Sequence, residues 1–328
     1  MKKKLIAIVA ALALSCSVVC AFAGSAFAED VPDDSGVYIG GVNENDALEP
    51  GEKYSVGGGT VSLSPDGKTL TLSDATISKT TGFFEDEDEG GDAITIYGIP
   101  ELIVVLEGTN TIRGENIGHP IDAIPKYYDE GSASVAFYGP GKLIFDEQIY
   151  VETNIVIEDG TFEFNGSGDD DAFRVYFGCI VVNNGCFNIN CGCHAFFSAQ
   201  ADITINGGTF HIASGLSGLS AINGTVKVNG GYLCIIANTR NDPEEFAIDA
   251  QDLVINPNLV VMAGANAESA LMVAADSYDG RTPYVEIGGE PLPDPIPTTG
   301  DSIPFAALLV ISMVAATAVG LTFARHLV

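Results

Sequence analysis

The chain has 328 residues, 44 of them acidic and 14 basic, for a net charge of −30. So anionic a surface repels nucleic acid and anionic lipid, and neither is an expected partner. It suits an exported protein that stays soluble, or one that binds cations. Residues 1–28 read as a secretory signal: Lys2, Lys3 and Lys4, an apolar run from Leu5, then Ala26-Phe27-Ala28 before Glu29. Cys16 and Cys20 are preceded by residues that fit a lipoprotein cleavage site poorly, so cleavage is expected after Ala28. Taking away the three signal lysines and Arg325 leaves ten basic residues, and taking away Asp301 leaves 43 acidic ones, so the 271 residues of 29–299 carry −33.

Residues 29–290 are expected to form one domain. In GTVSLSPDGKTLTL (from Gly59) two alternating runs flank Ser64-Pro65-Asp66-Gly67, a turn in which Pro presets φ and Gly takes the strained corner. This hairpin is expected to cap the N-terminal end of the domain, covering strand edges that would otherwise pair with another chain. LTLSDATI (from Leu70) and LIVVLEGTNTI (from Leu102) read as irregular early coils, separated by the acidic loop 85–92.

From Val135 to Met262 one phrase recurs: a loose copy VAFYGPGKLIF, then IVIEDGTFEF (from Ile155), IVVNNGCFNI (from Ile180), ITINGGTFHI (from Ile203), VKVNGGYLCI (from Val226) and LVINPNLVVM (from Leu253). The last five start 25, 23, 23 and 27 residues apart, a period whose units bury apolar faces only by stacking. Within each, period-two alternation such as Ile155/Ile157 and Phe162/Phe164 marks two short strands. Gly160, Gly185, Gly208 and Gly231 sit at the corner between them, where φ above zero is needed. Before that corner runs a row of amides, Asn183, Asn206, Asn229 and Asn256, which stacked coils bring into hydrogen-bonding range.

A second track supplies a third strand per coil: Ala93-Ile94, Ala123-Ile124, Ala172-Phe173, Ala195-Phe196, Ala221-Ile222, Ala247-Ile248 and Ala270-Leu271. The expected fold is all-β, a right-handed parallel β-helix, since parallel crossovers almost always take that hand. Pro283 to Glu290 is a candidate final strand. Residues 291–300 form a proline-rich spacer, and 301–328 hold an apolar span, Ile303 to Phe323, long enough to cross a bilayer, followed by Arg325.

Five cysteines remain after the signal, Cys179, Cys186, Cys191, Cys193 and Cys234, an odd number that leaves at least one unpaired within the molecule. Cys186 and Cys234 are expected to point outward from coils two apart, beyond disulfide reach. Cys191-Gly192-Cys193-His194 has no second Cys or His pair at zinc spacing, so it reads as a disulfide or inert thiols. No nucleophile elbow, phosphate loop or supported triad is present, and Arg174, Lys227 and Arg240 read as solvated charges. The chain is therefore expected not to be an enzyme.

Ile296-Pro297-Thr298-Thr299-Gly300, with the apolar span and basic end behind it, is similar to the cell-wall sorting signal of Gram-positive surface proteins. That resemblance implies cleavage by sortase between Thr299 and Gly300 and linkage of Thr299 to peptidoglycan, after a membrane-held stage. Gly168-Asp169-Asp170-Asp171-Ala172-Phe173, followed by Ile203-Thr204-Ile205-Asn206-Gly207-Gly208-Thr209, resembles the calcium-dependent carbohydrate-binding β-helix family of cellulolytic clostridia. Asp92-Ala93-Ile94 and Asp122-Ala123-Ile124 are partial copies, whereas later coils have His194, Ser220, Phe246 and Ser269 in place of the aspartate. The resemblance implies calcium at Asp169, Asp170 and Asp171, with Asp92 and Asp122 on earlier coils. Calcium takes six to eight oxygens, and Asp146 or Glu147 of a neighbouring coil could add to them. Tyr127, Tyr128, Tyr138, Tyr150 and Tyr176 could stack on sugar rings, although the chain has no tryptophan. The expected function is that of an extracellular, wall-anchored, non-catalytic protein that binds a polysaccharide or surface glycan. Its rivals are a protein-binding adhesin or passive stalk, and a polysaccharide lyase or hydrolase with divergent motifs. The hydrolase motifs of other β-helices are absent, with Gly118-His119-Pro120 the nearest approach.

Overall fold

The computed structural model describes residues 35–42, 46–81, 90–126, 133–166, 168, 170–237 and 246–288. The described elements are short strands and two 3₁₀ turns, with no α-helix. They stack as the three-faced coils of a parallel β-helix. The first face holds Ile94–Tyr97, Asp122–Ile124, Ile149–Val151, Phe173–Val175, Phe196–Ser198 and the starts of Leu219–Val228 and Ile248–Ile255. The second holds Glu101–Glu107, Ser134–Tyr138, Asn154–Ile157, Ile180–Val182, Ile203–Ile205 and the ends of those two long strands. The third holds Thr76–Ile77, Thr109–Ile112, Lys142–Phe145, Thr161–Asn165, Cys186–Cys191, Thr209–Ser214 and Tyr232–Ile236.

Like stands on like from coil to coil. Ile155 pairs with Ile180, then Ile203, then Val226 on the second face. Phe162 pairs with Phe187, then Phe210, then Leu233 on the third. All eight are fully buried, as the alternation requires. The amide row is a ladder: Asn206 donates to Asn183 Oδ1 and Asn229 to Asn206 Oδ1, each at 2.8 Å. Asn256 leaves the ladder and donates to the backbone carbonyl of Asn229. At the corner, Gly208 has φ +97°, and a Cβ there would stand 2.9 Å from the Gly185 carbonyl oxygen.

The hairpin lies at the N-terminal end as expected. Lys53–Val56, Gly59–Leu63 and Thr69–Ser73 form an antiparallel meander, and the last of them pairs in parallel with Glu101–Glu107. Its turn closes with Gly67 N–H donating to the Ser64 carbonyl at 2.8 Å. Gly36–Ile39 covers the first face by pairing antiparallel with Ile94–Tyr97.

At the other end the parallel order stops on the third face. Tyr284–Ile287, the candidate final strand, runs antiparallel between Tyr232–Ile236 and Val261–Gly264. The preceding corner has Pro257 and Asn258 in place of a Gly pair. Gly288 instead stands on the glycine column, so close that a Cβ would lie 2.0 Å from the Gly231 carbonyl oxygen.

Three members of the first-face track are corrected. Asp122 lies beside Thr95, so Ile121, not Ile124, is the residue level with Ile94. Leu219 lies beside Phe196, so Gly218-Leu219 takes the place expected for Ala221-Ile222. Leu271–Val273 pairs antiparallel with Val261–Gly264 and belongs to the third face. Among the described residues no disulfide joins any two of Cys179, Cys186, Cys191, Cys193 and Cys234. Cys186 is exposed, but Cys234 is buried opposite Glu286, and burial pushes its thiol up to about 11. Residues 296–300, the apolar span 303–323, Tyr127, Tyr128, Asp169 and the 85–89 run lie outside the described residues. Among the described residues no helix is long and apolar enough to cross a membrane.

Candidate functional site

The outer side of the first face gathers most of the chemistry. Parallel pairing puts Thr95, Asp122, Tyr150, Arg174, Phe197, Ser220 and Asp249 in one row across the coils. Three residues upstream of each runs a second row: Asp92, His119, Glu147, Asp171, His194, Ser217 and Phe246. The first five of these are spaced by 27, 28, 24 and 23 residues, the coil period itself.

Asp92 and Asp122, both predicted as calcium ligands, do come together across adjacent coils, with His119 on the coil of Asp122 and level with Asp92. Ligand atoms of Asp92, His119 and Asp122 all lie within 4.8 Å of one another. Asp92 Oδ1 is 3.2 Å from His119 Nδ1, and Asp92 Oδ2 accepts from the Thr95 hydroxyl at 2.9 Å. The two carboxylates are only 2% and 6% exposed. Burial first, and the Asp92 charge second, push Asp122 well above the usual carboxylate range. Asp122 Oδ1 is buried with no hydrogen-bond partner.

The predicted aspartate triplet is split in its contacts. Asp171 is 1% exposed and already engaged. Its Oδ1 accepts from the His194 backbone N–H at 3.0 Å and lies 2.7 Å from His194 Nδ1, and its Oδ2 accepts from Arg174 at 3.2 Å. The Arg174 guanidinium in turn lies over the Phe197 ring at 4.7 Å. Cys193 Sγ is 3.2 Å from His194 Nδ1. Asp170 instead faces Glu147 of the preceding coil, the neighbour expected from the sequence. Burial, then the nearby Asp170 and Asp146, push Glu147 up to about 7. Tyr150 donates to Glu152 at 2.6 Å, and Tyr176, 40% exposed, stands one residue beyond Val175 with its ring against Phe177. Tyr138, equally exposed, ends a strand of the second face and is not part of this strip.

Sequence reasoning passed over His119, tested only as part of a hydrolase motif, and treated His194 as a lost ligand. Ser217, not Ser220, occupies the row position after His194, and Ser269 lies on a different face. The coil-period spacing of Asp92, His119, Glu147, Asp171 and His194 was the signal that could have joined them.

Glu147 makes stability depend on pH with a definite sign. Its folded-state pKa of about 7 exceeds the ordinary 4.5, so the folded chain holds the extra proton between these values. This contribution is therefore fully present below about 4.5 and lost as pH rises through about 7. In chelator-treated protein the urea midpoint should fall from pH 5 to pH 8, and less so in Glu147→Gln. An equal fall in the variant would assign the effect elsewhere.

Comparison with family models, with curated proteins and with solved structures found no match to this chain.

Proposed function

We propose that the protein is a wall-anchored extracellular carbohydrate-binding β-helix without catalytic activity, and that the first face carries the binding strip. The observation behind this reading is the open part of that face, where Tyr150, Arg174 and Tyr176 adjoin Glu147 and Asp170. Aromatic rings offer apolar faces to sugar C–H groups, while carboxylates and a guanidinium form strong charge-assisted hydrogen bonds with hydroxyls. A strip that runs across stacked coils suits a chain of sugars better than a single ring. Calcium belongs in this reading between Glu147 and Asp170, whose carboxyls oppose each other across two coils, since Asp171 is held by Arg174 and His194. Of the two carboxylate pairs on this face, Asp92 with Asp122 is buried, and Glu147 with Asp170, the part-exposed one, is assigned in this reading to calcium and not to acid–base work.

A glycan array with the purified protein tests the binding claim, and retention of one glycan class is the expected result. The display claim has a separate test. Thr299→Ala should shift the protein from the wall to the membrane or the medium in a sortase-positive host. Wall-linked Thr299→Ala protein would remove the sorting-signal reading without touching the glycan one. A protein partner is the second reading, favoured by Leu271 and Met272, 72% and 66% exposed on the strand Leu271–Val273. An array without ligands, together with a partner captured through these two residues, would put it first.

A further inference from the structure

We propose that Asp92, His119 and Asp122 hold one divalent ion of the zinc class, bound through one imidazole nitrogen and two carboxylate oxygens. This inference does not depend on the glycan reading.

The donor set is the first argument. Calcium takes six to eight oxygens and does not favour nitrogen, whereas imidazole with carboxylates suits zinc and its neighbours. Asp92, His119 and Asp122 offer that combination, one ligand atom from each. Three protein ligands leave one tetrahedral position for water, a common zinc arrangement.

Geometry is the second. Bonds of 2.0–2.1 Å place neighbouring ligands of a tetrahedral zinc about 3.4 Å apart. Asp92 Oδ1 and His119 Nδ1 are already 3.2 Å apart, and all three ligand atoms lie within 4.8 Å. Small side-chain rotations close the set. The main chain keeps the ligands in place, because Asp122 lies in a strand paired on both sides, with Thr95 and with Tyr150. His119 pairs with Asp92 across adjacent coils.

The unsatisfied oxygen is the third and independent observation. Asp122 Oδ1 is buried and has no hydrogen-bond partner. A buried carboxylate oxygen left unpaired is costly, and a second carboxylate beside it makes the place more so. A cation satisfies that oxygen and both charges together. The Thr95 hydroxyl, which donates to Asp92 Oδ2, then acts as an outer partner that orients the ligand. By contrast, the row's second cluster, Asp171, Cys193 and His194, has Arg174 as a resident cation.

The test uses the full-length protein, stripped with a chelator and titrated with zinc chloride or calcium chloride. Binding is read by calorimetry and thermal melting, and cobalt is added for its visible ligand-field bands. One equivalent of zinc should bind and raise the melting temperature, while calcium at the same concentration should not compete for that site. Losing an outer partner of a metal typically costs about 10–100-fold in affinity. His119→Gln and Asp122→Asn, which keep size and remove ligation, should therefore weaken zinc by about a hundredfold or more and abolish the cobalt bands. Asp170→Ala and Cys193→Ser should leave both signals intact. Three results would overturn the proposal. One is no stoichiometric zinc, which leaves a proton shared between Asp92 and Asp122. The others are zinc retained in folded His119→Gln and Asp122→Asn, and zinc lost in Cys193→Ser, which moves the ion to the second cluster.

Discussion

Phe187→Ala is expected to lower the unfolding free energy by about 3–5 kcal/mol. The ring is fully buried and stacks between Phe162, at 5.2 Å and 7°, and Phe210, at 4.5 Å and 6°. The edges of Phe173 and Phe196 meet it from the first face at 6.4 and 5.6 Å. Those two belong to a second column, stacked on each other at 5.0 Å. Removing Phe187 opens a gap in the middle of its own column and takes an edge contact from the other. The flanking rings are held at their own spacing by strand pairing above and below, so the gap cannot collapse. Coils of a solenoid also depend on their immediate neighbours, so the loss falls on two interfaces at once. Urea denaturation measures it, and a second, lower transition for one half of the helix would express the same break. A change below about 1 kcal/mol would mean that the columns do not carry the core.

Gly178→Ala is expected to cost about 3 kcal/mol, for a reason unlike that of the corner glycines. Its φ is not in the left-handed region, so the backbone conformation accepts alanine. Space does not. The added Cβ would stand 1.7 Å from the Thr153 carbonyl oxygen and 2.6 Å from Asn154 Oδ1. The clash is mostly with backbone, so two coils must move apart locally. That movement strains the bond from Cys179 N–H to Asn154 Oδ1, now 3.0 Å, and the one from Asn154 to Ser134 Oγ, also 3.0 Å. A melting curve within error of the parent would show that the coils separate more freely than their packing implies.

The second and third faces were legible because each coil marks its own register. A glycine corner and an amide stand between two alternating strands, and a slip of one residue would turn Phe187 or Ile180 outward. The first face has no such marker. Ala123 follows Ile121 by two residues and Ala221 follows Leu219 by two, so an Ala-plus-apolar pattern matches at more than one register. Only pairing between coils decides which is in line. The inserted strand Tyr284–Ile287 was visible as a strand but not in its place, because its neighbours are about 20 to 50 residues earlier in the chain. The candidate site was half legible. Acidic residues before the first-face strands stood out locally. That Asp171 is neutralised by Arg174 three residues on, and Asp92 approached by His119 one coil on, depends on side-chain reach.

The most direct test of the glycan-binding account is a titration of the glycan retained on the array against the wild-type protein and Tyr176→Ala, with Tyr138→Ala alongside. Tyr176 and Tyr138 are each 40% exposed, one beside the first-face strip and the other on the second face. Losing a stacking ring that contributes about 1.4 kcal/mol weakens binding about tenfold. The account predicts that loss for Tyr176→Ala and an unchanged affinity for Tyr138→Ala. Equal affinities for all three proteins, or a loss confined to Tyr138→Ala, would contradict it.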